Sequence, residues 1–87
     1  MELEEIKSKL RKFIRERFNV SENDADFTDD VHLFDYGYID SFGAVELTEN
    51  VEKDFSITIK QSDFIVHPMN TVSEIAAFVK GRQEGVI

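Results

Sequence analysis

The spacing of its apolar residues is what most narrows the folds open to this chain. Leu3, Ile6, Leu10, Phe13, Ile14 and Phe18 recur at steps of three, four or one. That spacing lays a single stripe along a helix of about four turns. Val72, Ile75, Ala76 and Val79 follow the i, i+3, i+4, i+7 pattern near the other end. The one alternating stretch, Ser56-Ile57-Thr58-Ile59, has no second strand to pair with. It reads as an extended connector whose two Ile side chains plug a core. An all-α bundle is therefore predicted.

Local signals punctuate that bundle. Glu2, Glu4 and Glu5 lie in the first turn of the first helix and Arg15 and Arg17 in its last, which complements the helix dipole. Asn19 to Asp30 has no period and is rich in Asp, Ser and Asn. It reads as a long loop, anchored by Val20, Phe27, Val31 and Leu33. Gly37 supplies a turn, and Asp40 or Ser41 offers an N-cap. Ser41 to Asp54 forms a second helix. Its apolar side is assigned Phe42, Val45, Leu47, Val51 and Phe55, and its exposed side Glu46, Glu49, Glu52 and Asp54. Gln61 to Val66 is a short helix stopped before Pro68. Thr71 and Glu74 form a capping box for the last helix, which is expected to run to about Lys80 and stop at Gly81. The expected organisation is three main helices, one short helix and a long first loop: a single domain over residues 1–81, then a flexible tail, 82–87.

Composition removes several classes. With 87 residues the core is small, and eight Phe among ten aromatics supply apolar area from few positions. Without Cys there is neither a disulfide framework nor a cysteine zinc site. No apolar run approaches the ~18 residues of a membrane span. The acidic start, Met1-Glu2-Leu3-Glu4-Glu5, does not resemble a secretory signal. A monomeric cytoplasmic module with no stable membrane association is expected. The net charge of -8 argues against nucleic acid as a partner. That charge is concentrated: residues 21–56 hold eleven acids against Lys53 alone. Such a block serves either as a solvated surface or as a docking face for basic partners.

The stretch richest in chemistry is Leu33-Phe34-Asp35-Tyr36-Gly37-Tyr38-Ile39-Asp40-Ser41-Phe42. A turn there delivers a serine to the start of an acidic helix. The first N–H groups of a helix lack internal partners and favour an anion, so an exposed Ser at that point suits a phosphate ester. Taken alone, an Asp-Ser dipeptide reads as a plain helix cap, and only its context argues for more. Tyr36 and Tyr38 either shield this site or cover the core, and they are assigned to the core.

The arrangement resembles the acyl and peptidyl carrier proteins, small domains that carry 4′-phosphopantetheine on a serine. The likeness spans nearly the whole chain. It takes in the first helix, the Leu33-Phe34 pair, Gly37, Asp40-Ser41-Phe42, Val45-Glu46-Leu47, Phe55, the Ile57/Ile59 connector and Thr71-Val72. The resemblance implies that Ser41 is the attachment point of the arm. It implies that Asp40 helps hold magnesium while a phosphopantetheinyl transferase modifies Ser41. Phe42 matches the family's apolar position after the serine. Glu46, with Glu49 and Glu52, matches its acidic recognition helix. The chain would then be no enzyme but a carrier of thioester-linked acyl or aminoacyl groups. It would be loaded by a ligase and read by acyltransferases or synthases with basic docking patches.

The chain departs from fatty-acid carriers at three points. Two residues, Tyr38 and Ile39, separate Gly37 from Asp40. Gly43 stands where an acid is usual, and Glu49 where an apolar residue is usual. In Gly43 and in the longer spacing from Gly37 to Asp40 it looks more like D-alanyl carrier proteins and discrete carriers of secondary pathways.

Two other readings compete. Asp24, Asp26, Thr28, Asp30 and Asp35 partly imitate an EF-hand calcium loop, though Asp29 takes the place of its glycine and Asp35 that of its bidentate Glu. This would make a calcium-responsive helical module. The other alternative is an acidic adaptor without a prosthetic group. Lys7, Arg11 and Arg15 form a basic stripe, expected to pair within the first helix with Glu4 and Glu16.

Overall fold

The computed structural model describes residues 1–87 and contains four helices and no strand. They are α1 (Leu3–Arg17), α2 (Ser41–Phe55), α3 (Gln61–Val66) and α4 (Val72–Gln83). The predicted bundle of three main helices and one short helix is what forms. α1 and α4 pack against each other, burying Ile6, Leu10 and Ile14 from one and Val72, Ile75, Ala76 and Val79 from the other. α2 adds Leu47, Val51 and Phe55 to the same core.

Each helix end has a local cause. Asn19 adopts the left-handed region at φ 56°, so α1 stops, and the Val20 N–H closes back on the Arg15 carbonyl. Thr71 caps α4 by accepting from the Glu74 N–H at 3.0 Å. The return bond from Glu74 goes to the Asn70 N–H, one residue earlier than a regular capping box. His67 is extended, as a residue before proline must be, and ends α3.

The end of α4 differs from expectation. The helix passes through Gly81, which keeps helical backbone, and Gln83 closes it. The stop is Gly85, at φ 73°, with its N–H on the Arg82 carbonyl and the Val86 N–H on that of Gly81. This 5→2 and 6→1 pair is a Schellman ending. Gly81 instead makes room for the Ile87 side chain, which lies 3.0 Å from where a Cβ would stand.

The long loop between α1 and α2 is held on three sides. Val20, Phe27, Val31, Leu33 and Ile39 are buried; the first four are the expected anchors and Ile39 is an additional one. Arg11 forks onto Asp29 with two bonds of 2.7 Å and also reaches Glu4 at 2.9 Å. Arg15 lies 4.7 Å from the Phe27 ring and donates to the Ser21 carbonyl. Lys7 also lies 3.9 Å from Asp29. The basic stripe therefore pairs within its own helix only at Glu4 and is otherwise spent on pinning the loop. Ser73 N–H donates to the Asp29 carbonyl, and Leu33 N–H to that of Asn70, which ties the loop to the start of α4.

Candidate functional site

Residues 33–40 fold into a tight hook that presents Ser41. The Leu33 carbonyl accepts from both Tyr38 and Ile39 N–H groups, at 3.0 and 3.2 Å. The chain between them reverses at Gly37, whose φ of 77° is one that glycine adopts freely. Ile39 is drawn into the core, so the next two residues emerge at the surface.

Asp40 is the N-cap of α2. Its Oδ1 accepts from the Gly43 N–H at 2.7 Å, and its carbonyl accepts from Ala44 at 2.9 Å. The Ser41 and Phe42 N–H groups have no partner within the protein. Ser41 is therefore an exposed hydroxyl in the first turn, beside two unpaired donors at the positive end of a 15-residue helix. No histidine stands ready to activate it. His32 accepts from the Asp35 N–H through Nδ1, and His67 packs 5.4 Å from the Phe78 ring.

Of the apolar side assigned to α2, Leu47, Val51 and Phe55 are buried, but Phe42 and Val45 are 81% and 58% exposed. The correction is geometric. Leu47 is five residues from Phe42 and two from Val45, and neither step keeps a helix face. Phe42 and Val45 share the outer face with Glu46, Glu49 and Lys53, at steps of three and four. Their inward place is taken by Gly43, which is buried.

The three glutamates proposed for docking are not equivalent. Glu46 is bonded by Arg17, Nη2 to Oε1 at 2.7 Å. Glu52 accepts from the Ile59 N–H at 2.9 Å and so fixes the connector after α2. Glu49 is exposed, with no bonded partner. Nothing local in the sequence signals that Arg17 reaches Glu46.

The two tyrosines also divide. Tyr38 packs edge-on against Phe27 and donates to Asp24 at 2.9 Å; its partly buried setting, helped by that bond, pushes its pKa up to about 12. Tyr36 is 65% exposed and stacks on Tyr38 instead of entering the core.

The calcium reading loses its ligands. Of those positions Asp24 accepts from the Tyr38 hydroxyl and the Asp26 N–H, and Asp29, at the glycine position, is held by Arg11. No three acidic or histidine side chains converge to hold a metal ion.

A cavity of about 230 Å³ opens beside the inner face of α2. Ala44, Leu47, Thr48 and Val51 line one wall, and Phe64, Pro68 and Met69 face them. No helix is long and apolar enough to cross a membrane.

Comparison with known proteins adds an independent line. The family described as "Phosphopantetheine attachment site" matches residues 8–79. The chain is 41% identical to the D-alanyl carrier protein of Streptococcus mutans serotype c over 71 residues, which cover 82% of this chain and 86% of that protein. It is 42% identical to the D-alanyl carrier protein of Streptococcus suis over 50 residues (58% and 63% covered). It is 43% identical to that of Streptococcus uberis over 54 residues (62% and 68% covered).

Proposed function

This chain belongs to the phosphopantetheine attachment site family of carrier proteins, and from that premise we propose that Ser41 carries the arm and that the cargo is a small aminoacyl group of the D-alanyl kind. The observation that supports Ser41 most is its place: an exposed hydroxyl in the first turn of α2, beside the unpaired Ser41 and Phe42 N–H groups. A phosphodiester on Ser41 fits there, because those donors and the helix dipole favour an anion. When attached, 4′-phosphopantetheine supplies a flexible thiol that carries the cargo as a thioester.

The rest of the site follows from the chain's own residues. Asp40 orients the first turn by capping it through Oδ1, while Oδ2 remains available to a magnesium ion shared with the transferase. Without a base beside Ser41, the chain is a substrate of its modifying enzyme and not a catalyst. Its partners are a phosphopantetheinyl transferase, a loading ligase and a downstream acyltransferase. The working unit is a cytoplasmic monomer whose carrier domain includes all of α4, with the Ile87 side chain set against Gly81.

The test is intact mass after incubation with a promiscuous transferase, coenzyme A and magnesium. The expected result is one arm-sized gain that Ser41→Ala abolishes. No gain, or one that survives the substitution, refutes the reading.

The cavity favours a second reading for the cargo, an apolar acyl chain folded back against Leu47 and Val51. Installing an octanoyl arm or a D-alanyl arm separates the two. A buried acyl chain raises the melting temperature by stabilising the folded state, whereas a D-alanyl group leaves it unchanged.

A further inference from the structure

The outer face of α2 runs from Ser41 along the helix, and it is not the acidic surface that the sequence suggests. Phe42 and Val45 lead it, followed by Glu46, Glu49 and Lys53. Arg17, from the last turn of α1, reaches across to Glu46, with both side chains about half exposed (53% and 41%). Across this face, two carboxylates therefore meet two cations.

We propose that this face is a charge-balanced, apolar docking surface, and that Arg17 makes it so by neutralising Glu46. The partner it fits is an enzyme, acting at Ser41 or its arm, that receives Phe42 and Val45 in an apolar recess with a weakly basic rim, which this balanced face does not steer. The proposal rests on the carrier reading given above.

The physical argument concerns net charge more than pair strength. A surface ion pair of this exposure contributes little to stability. Its effect on an approaching partner is larger. The two charges sit 2.7 Å apart, well inside the Debye length of about 8 Å at physiological salt. From outside that distance they act as a dipole and not as an anion. Steering of a basic partner scales with the net charge of the patch, and here the pair contributes none. Glu52 keeps its charge but lies near the other end of α2, where it accepts from the Ile59 N–H. That leaves Glu49 as the one carboxylate without a bonded partner on this face, four residues before Lys53. Contact with Phe42 and Val45 must then supply the affinity, because exposed apolar side chains next to the reactive group are what remains to be buried.

The test is a charge cycle: wild type, Arg17→Gln, Glu46→Gln, the double variant and Val45→Ser. The readout is kcat/KM for arm transfer by a promiscuous transferase, at about 50 and about 300 mM salt. Wild type is expected to change less than about threefold between the two salts. Arg17→Gln exposes an anion, so it is faster than wild type at low salt and steeper in its salt dependence. Glu46→Gln exposes a cation, so it is slower at low salt. The double variant, neutral again, returns to within about twofold of wild type. Val45→Ser loses at least about fivefold at both salts while its melting temperature stays that of wild type.

The proposal is overturned if the double variant remains as slow as Glu46→Gln, which would mean that the partner contacts Glu46 itself. It is equally overturned by a steep wild-type salt dependence that Arg17→Gln leaves unchanged, or by full activity of Val45→Ser. Failure of wild type to accept any arm refutes the carrier reading, and this proposal with it. Arm transfer with the wrong salt pattern refutes this proposal alone.

Discussion

A Cβ on Gly43 would stand 2.7 Å from Cε1 of Phe18. The end of α1 and the first turn of α2 thus touch through a glycine, directly beneath Ser41. Ile39 Cγ2 closes the other side at 2.9 Å, and Phe18 is braced edge-on by Phe13 at 6.1 Å.

Gly43→Ala therefore sets two effects against each other. Alanine favours helix by up to about 1 kcal/mol. Forcing a methyl between a braced ring and a buried Ile costs about 1–3 kcal/mol. Net destabilisation of about 1 kcal/mol is expected, a fall in melting temperature of ~4–8 °C at this size. Gly43→Val should fall further. A rise for Gly43→Ala would show that the Phe18 ring yields freely.

Asp40 has a capping role that is separable from any role in arm transfer. Asp40→Ala removes the acceptor for the Gly43 N–H and is expected to cost about 1 kcal/mol. Asp40→Asn keeps a capping oxygen and should melt close to wild type, yet it loses the charge offered to magnesium and should accept the arm much more slowly. If Asp40→Asn were modified at the wild-type rate, capping would be the whole of its contribution.

The Arg11–Asp29 fork predicts a pH dependence. The hydrogen bonds from Arg11 hold the Asp29 carboxyl below its ordinary value. A carboxylate depressed in the folded state adds stability that is fully present above its unfolded pKa of about 4. That stability is lost as pH falls through the lower folded value. Asp29→Asn should cost about 1 kcal/mol at pH 7, and the difference from wild type should shrink steadily below about pH 4. A deficit that stays constant down to pH 2 would mean that the fork contributes nothing through charge.

What the sequence reveals and what it hides divide along a physical line. α1, α4 and the α3 stop are legible because periodicity, capping and proline act within a few residues of chain. The presentation of Ser41 is legible for the same reason, since Gly37 and Asp40 are local devices. Arg11–Asp29 and Arg17–Glu46 join residues 18 and 29 apart in sequence, so only the packing of α1 against its neighbours brings them together. Phe42 and Val45 fall between these cases. Their apolar character suggests burial, while their angular position on α2 places them outside, and angular position wins.

That division yields a last prediction, which sets an apolar residue of the core against one of the outer face. Ile75 is buried where α4 meets the cavity beside α2. Ile75→Ala removes packed methyl groups and leaves a void that the small core fills poorly, so a loss of about 2–4 kcal/mol is expected. Phe42→Ala removes a larger side chain from solvent, and the melting temperature should move by less than about 0.5 kcal/mol in equivalent terms. The two variants should exchange rank in arm transfer. At a temperature where both are folded, Ile75→Ala should be modified at nearly the wild-type rate, because its defect is global and far from the contact. Phe42→Ala should be modified slowly, because the side chain beside Ser41 is missing from the docking face. Chemical denaturation and transfer kinetics on the same two proteins read this out, and a stability loss in Phe42→Ala comparable to that of Ile75→Ala would return Phe42 to the core.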